Sequence, residues 1–411
     1  MKPSLNLRSV EEAKELFFSA LENLAVPTET IESIHSFGRV IAEPIVSAEY
    51  LPAFTRSSMD GFAVKAKDTI EADDLHPAKL TIIGEVAMGS VPDFSIKGGE
   101  AALIHTGGML PDGADAVVIL EVCTVTPDRL LDVHQPVHTG DNLIFKGEDV
   151  KPGDLVIPPG KRIRPADVGG LLSLGHTWVK VAAKPRIAIL SSGDEVILPE
   201  QIPQLGQVRD VNSGSLAVLV EQAGGIAKNY PIIPDDRERM EAAFHKAFEE
   251  TDALLVSAGS SASDRDISAQ VIETLGKPGV LVHGINFRPG KPTILAVCDG
   301  KPVIGLPGNP ISALVIGEFF VKPLLDRMQG IKQAPILPMI KAVLAEDFTS
   351  QAGKEEWVPV KLDKEADHYV ARPFFFKSNL IFQLSNADAL MKILPEESIK
   401  KANSEVDVLL Y

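Results

Sequence analysis

The chain has 411 residues and carries 40 Lys and Arg against 56 Asp and Glu, a formal net charge of −16. With 45% hydrophobic and 23% charged residues it has the composition of a folded protein of about two to four domains, which excludes a disordered chain. The acidic balance speaks against nucleic acid or an anionic membrane as partner, since both need basic patches, but leaves room for a small anion held by local groups.

The first residues, Met1 to Glu12, lack the apolar core of a signal peptide. The best apolar run, Ile311 to Val321, is broken by Glu318 and too short to span a bilayer, so a cytoplasmic location is expected. Ser9 and Glu12 stand at capping-box spacing. Behind them Val10, Ala13, Phe17, Leu21 and Leu24 recur at helical spacing, predicting a helix from Ser9 to Leu24. From Pro52 to Gly160, short β-branched runs (Leu80–Ile83, Ala101–Ile104, Ala116–Leu120, Leu155–Ile157) alternate with Gly, Pro and Asp turns and read as strands. Cys123 and Cys298 are isolated, which suits buried free thiols and neither a disulfide framework nor a thiolate metal site. Pro165 opens a second helix that ends at Gly175.

From Lys184 the pattern alternates strand and helix. Strands are predicted at Ile187–Leu190, Ile226–Ile233, Ala253–Ser257, Val280–Ile285, Thr293–Val297 and Val303–Leu306. Helices are predicted at Ser213–Gln222, after Asp235, at Ile267–Leu275 and at Ile311–Met328. Such alternation predicts a doubly wound, mainly parallel sheet, with ligands beyond the carboxyl ends of its strands. The last 80 or so residues read as short strands again, a small β-barrel or sandwich.

Four loops at that sheet edge carry chemistry-bearing residues. Ser191-Ser192-Gly193-Asp194-Glu195 sets hydroxyls and two carboxylates around a glycine turn. Ala258 to Asp266 is a run of small residues before a helix, including Ser260 and Ser261, which lets backbone N–H groups face an anion. Arg288-Pro289-Gly290-Lys291-Pro292 places two cations around a tight turn suited to phosphate or another oxyanion. Leu306-Pro307-Gly308-Asn309-Pro310 holds backbone groups close to a helix start. Each loop alone is an ordinary turn; together on one edge they point to an anionic ligand.

These four loops resemble the molybdopterin-binding domain of molybdenum-cofactor biosynthesis enzymes. Three further stretches separate the two enzyme types that carry it. Ser57-Ser58-Met59-Asp60-Gly61-Phe62-Ala63-Val64, Thr106-Gly107 followed by Pro111 to Val118, and Gly147-Glu148-Asp149 resemble motifs of the molybdopterin molybdotransferase family. That family is also called molybdenum insertase and is related to the C-terminal part of gephyrin. A single-domain adenylyltransferase would lack all three.

The resemblance implies an α/β multidomain chain. Its parts would be an elongated N-terminal domain split into 1–50 and 145–182, an inserted β-rich domain at 51–144, a doubly wound molybdopterin-binding domain at 183–330 and a C-terminal β-barrel-like domain at 331–411. It implies insertion of molybdate into adenylylated molybdopterin with release of AMP, assisted by Mg2+. It also implies a homodimer whose cleft joins the β-rich domain of one subunit to the α/β domain of the other, with the adenylyltransferase as a possible contact. Carried over by position, Asp60, Thr106, Asp149 and Glu195 are the expected catalytic residues. Ser260, Ser261, Arg288, Lys291, Pro307, Gly308, Asn309 and Pro310 are expected to bind the ligand. Glu195, Asp235 (or Asp236) and Asp266 are expected to hold the metal. The chain departs from the family pattern where Ala258 and Ser263 replace loop glycines and Arg288 stands where lysine is common. A tungstate-handling member and a non-catalytic molybdopterin-binding scaffold are the alternatives.

Overall fold

A computed structural model describes residues 7–258, 262–333, 336–350, 353–374 and 377–411. The helix Val10–Ser19 starts at the expected capping box: Glu12 N–H donates to Ser9 Oγ at 3.2 Å, and Ser9 N–H donates to Glu12 Oε2 at 3.0 Å. It is shorter than predicted. Its buried face, Val10, Ala13 and Phe17, packs into the core of the distant α/β sheet. Thr28–Glu32 pairs antiparallel with Trp178–Ala182, and Ile45–Val46 pairs with Leu155–Ile157. With the helix Pro165–Ser173 these distant stretches enclose one small core around Ile41, Ile157, Ile163, Leu171, Val179 and Val181.

Between them lies a six-stranded sheet in the spatial order Ala116–Ile119, Gly61–Val64, Glu100–Ile104, Ala78–Val86, Leu130–Val133, Cys123–Val125. All four residues of Gly61–Val64 are buried, so this strand has no alternating pattern. Gly61 is required by packing: a Cβ there would lie 2.0 Å from the Val118 carbonyl oxygen of the neighbouring strand.

The α/β region holds a second six-stranded sheet. Its order is Ile226–Asn229, Arg186–Ser191, Ala253–Ala258, Lys301–Pro307, Ile294–Cys298, Pro278–His283. The first four strands are parallel, and the last two join antiparallel. Successive side chains on a strand point to opposite faces. Ile187 and Ile189 accordingly enter one core with the helices Asn212–Gln222 and Pro310–Ile316, and Ala188 and Leu190 enter the other with Arg237–Glu250. The helix Arg237–Glu250 is capped by Asp236, whose Oδ1 accepts from Arg239 N–H at 2.8 Å; Asp235 lies outside the helix. The predicted closing helix is continuous from Pro310 to Met328, with a π-helical stretch at Gly317–Val321.

In the C-terminal region five strands close on themselves: Glu355–Glu365, His368–Pro373, Met339–Leu344, Glu405–Leu410 and Ala389–Ile393, the last pairing back onto the first. Closure removes the exposed edges of a small sheet and settles the choice between barrel and sandwich. The short strand Phe287–Arg288 of the α/β region pairs in parallel with Glu355 and Glu356 of the barrel. Among the described residues no helix is long and apolar enough to cross a membrane.

Candidate functional site

The carboxyl ends of three parallel strands converge where expected. Asn212, at the start of a helix, fastens them together: its Nδ2 donates to Ser257 Oγ at 2.7 Å and to the Gly308 carbonyl at 2.8 Å. Ser192 N–H donates to the Ser257 carbonyl at 3.0 Å. The resulting cleft, of about 490 Å³, is lined by Ser191, Ser192, Glu195, Arg209, Asp210, Ser257, Gly308, Asn309 and Pro310, among others. The Ser191 and Ser192 hydroxyls are buried at its base without a hydrogen-bond partner. Buried polar atoms are rarely left so, and a pair of them at the bottom of a cleft suits an oxygen-rich ligand or ordered water. The Glu195 carboxylate folds back over Gly193, which has φ +144°; a Cβ there would lie 2.7 Å from Glu195 Oε2. Asp210, 7% exposed, accepts from Ser213 N–H at 3.1 Å and from its hydroxyl.

Asp235 stands beside this loop. Its N–H donates to Asp194 Oδ1 at 3.1 Å, and Asp194 N–H donates to Asp235 Oδ2 at 3.3 Å. Ser260 and Ser261, and the side chain of Asp266 on the helix Ala262–Thr274, lie outside the described residues.

A second cleft, of about 500 Å³, opens on the other side of Asn309. Arg288, Lys291, Lys354 and Lys377 line it with Pro307, Ser312 and Ser378, and among the described residues no carboxylate does. Asn309 Nδ2 donates to Ser378 Oγ at 2.9 Å, tying this wall to the C-terminal region. The two clefts therefore differ in chemistry. One offers two acids, one arginine and hydroxyls, the other four cations and hydroxyl donors, and Asn309 belongs to both.

Asp60 and Thr106 form a separate pole on the inserted sheet. Thr106 donates to Asp60 Oδ1 through its N–H at 2.7 Å and its hydroxyl at 3.0 Å. The backbone N–H first, then the hydroxyl, hold the Asp60 carboxyl below its ordinary range. His105 Nδ1 lies 3.9 Å from Asp60 Oδ1, and its Nε2 lies 3.0 Å from Glu85 Oε1. Asp149 is exposed in a turn fixed by its own N–H, which donates to the Leu51 carbonyl at 3.0 Å. Asp60, Thr106 and Asp149 line neither cleft of the α/β region.

Some participants escaped the sequence reading. Asp210 and Asn212 looked like the run-up to a helix. Lys354 comes from the barrel, some sixty residues beyond the basic turn it joins, and periodicity holds no signal for such a meeting.

Three family models match the chain. The MoeA N-terminal region (domains I and II) matches residues 8–175, a probable molybdopterin binding domain matches 188–327, and the MoeA C-terminal region (domain IV) matches 341–411. A Methanocaldococcus jannaschii protein whose name assigns it to molybdopterin biosynthesis is 36% identical over 380 residues, covering 89% of this chain and 90% of its own. A molybdopterin molybdenumtransferase of Staphylococcus epidermidis is 30% identical over 390 residues, covering 95% and 92%. A crystal structure of the molybdopterin biosynthesis MoeA protein from Pyrococcus horikoshii OT3 superposes with a TM-score of 0.85 at 31% identity, covering 99% of this chain and 100% of that one.

Proposed function

The chain belongs to the MoeA family, which includes molybdopterin molybdenumtransferases, and we propose that it inserts molybdate into adenylylated molybdopterin, releasing AMP. The observation that carries this reading is the pair of clefts, one acidic and one cationic, that meet at Asn309. The reaction brings together an oxyanion, a dithiolene and a phosphoanhydride. Such a transfer depends on neutralising charge at the phosphates and on fixing the attacking oxygen.

In this reading Arg288, Lys291 and Lys377 bind the anionic groups, with Ser312 and Ser378 orienting them. Asn309 stands at the shared wall, where the two reacting parts meet. The donor chemistry of the acidic cleft fits a hard cation: Glu195 lines it, Asp235 is next to it, and two unpartnered serine hydroxyls sit at its base. Among the described residues no three acid or His side chains are grouped to hold an ion by themselves. Mg2+ completes a shell of protein carboxylates with substrate phosphate and water. Glu195, Asp235 and Asp266 would hold it, and it would supply charge neutralisation on the phosphates. Asp60, Thr106 and Asp149 line neither cleft, so the reading has a second copy of the chain supply them across a dimer interface.

The test combines purified protein, adenylylated molybdopterin, Mg2+ and molybdate, with tungstate in a parallel reaction. AMP release that requires the oxyanion, together with active cofactor, is expected. Absence of AMP with either oxyanion overturns the proposal. Tight binding without turnover would make the chain a scaffold.

A further inference from the structure

In the cationic cleft the charge of Arg288 is already engaged. Arg288 is paired with Glu356, a carboxylate only 1% exposed, and its Nη1 lies 3.0 Å from Glu356 Oε1. Oε1 makes no aligned hydrogen bond, so this contact is Coulombic. The other oxygen, Oε2, accepts from the Ser350 hydroxyl. The backbone sets up the meeting: Phe287 and Arg288 pair in parallel with Glu355 and Glu356, so Arg288 and Glu356 are direct cross-strand neighbours. Glu355 N–H, donating to the Asn286 carbonyl at 3.1 Å, anchors the entrance to the pairing. A buried carboxylate needs a fixed cationic partner, and here that partner lines the anion cleft.

We infer that Glu356 of the C-terminal barrel is a positioning residue for the oxyanion site, holding the Arg288 guanidinium by charge at the wall of the cleft with N–H donors left for the ligand. A guanidinium has five donors in a fixed fork, so one edge can meet Glu356 while another meets the ligand. A lysine ammonium has no such second edge in a fixed plane. The inference rests on the anion reading of this cleft. It gives the C-terminal region a task beyond stability, since Glu356 and Ser350 both come from it.

The sign of one measurement decides between accounts. Glu356→Gln removes a negative charge near the ligand. By Coulomb's law alone, anion binding should then tighten. A purely structural role would lower the melting temperature and leave the affinity of the folded protein unchanged. Positioning predicts weaker binding. The probe is molybdate itself, titrated calorimetrically into the full-length chain, with tungstate as a second probe.

Wild type is compared with Glu356→Gln, each also carrying Arg288→Ala. The expected result is a loss of roughly tenfold in affinity for Glu356→Gln, of the size that coupled neighbours show, and no further loss when Arg288 is already alanine. Unchanged or tighter binding overturns the inference, as does an equal loss in the Arg288→Ala background. Should Glu356→Gln not fold, Ser350→Ala keeps the carboxylate charge and removes one of its anchors. It should weaken binding in the same direction by a smaller factor, and an unchanged affinity there is equally fatal. A wild-type chain that binds neither oxyanion overturns the anion reading itself, and the role of Glu356 falls with it.

Discussion

Asn212 offers the sharpest test of how the site is held. Asn212→Ala removes two hydrogen bonds at once, to Ser257 Oγ at 2.7 Å and to the Gly308 carbonyl at 2.8 Å. Each is worth about 0.5–1.5 kcal/mol net, for a combined loss of about 2 kcal/mol. The two acceptors respond differently to the loss. The Gly308 carbonyl is half-buried beside an open cleft and can turn to water, whereas Ser257 is 4% exposed and its hydroxyl has less recourse. The loss falls on the α/β region, and a chain with several separate cores need not melt in one step, so calorimetry that resolves individual transitions is the appropriate assay. For a region of about 150 residues, a loss of about 2 kcal/mol lowers the melting temperature by about 4–8 °C. Hydrogen exchange gives a local reading: the Ser192 amide, bonded to the Ser257 carbonyl at 3.0 Å, should exchange faster in the variant. A melting transition within about 1 °C of wild type, with Ser192 equally protected, would refute the idea that Asn212 is the fastener of these three loops.

Other substitutions probe the remaining parts. Gly61→Ala should disrupt the inserted sheet, because the new Cβ would sit 2.0 Å from a strand carbonyl that cannot move without breaking its own pairing; limited proteolysis should cut this sheet in the variant and spare it in wild type. Thr106→Val keeps the backbone N–H and deletes the hydroxyl donor, so the Asp60 carboxyl should titrate closer to its ordinary value, as followed by carbon NMR. The sign is that of a depressed acid: whatever ionised Asp60 contributes is complete above the ordinary Asp value and is lost as pH falls through the lower, folded one. An unmoved midpoint would show that the backbone donor alone sets it. The thiols of Cys123 and Cys298 are pushed up to about 11, first by burial and then by neighbouring carboxylates. Against an ordinary thiol, this lowers the thiolate fraction at pH 8 on the order of a hundredfold. Cys298 is buried as expected, whereas Cys123 is only half-buried; a colorimetric disulfide reagent should react with the native protein far more slowly than with the unfolded chain, and equal rates would contradict the raised thiol values.

The legible parts of this chain were those whose signal is local. The capping box at Ser9 and Glu12, the proline that opens Pro165–Ser173 and the strand–helix alternation after Lys184 all appear as read, within a few residues. Helix ends were less legible. Val10–Ser19 stops before Leu24 although Leu21 and Leu24 still pack on the same core, so the periodicity reported burial there and not helix. Gly61–Val64 gave no alternation because both of its faces are covered. At the site, Glu195, Arg288, Lys291 and Asn309 were visible because each lies in a short loop after a strand or at a strand end. Asn212 and Glu356 were not. Asn212 acts through contacts 45 and 96 residues away, and Glu356 is one of two adjacent buried acids at the start of a strand, where only the cross-strand register reveals Arg288.

The same contrast explains how so acidic a chain can accept an oxyanion. Net charge is a property of the whole surface, and at physiological salt its reach is about 8 Å. A ligand in the second cleft meets the four cations that line it, and the acid paired with Arg288, Glu356, is itself 1% exposed. Glu195 and Asp210 line the other cleft, together with Arg209. The −16 of the sequence therefore does not describe the site. In the proposed reading admission is decided by the local sorting of charge, and for Arg288 that placement is made by pairing a strand of the α/β region with a strand of the barrel, a contact between residues nearly seventy positions apart.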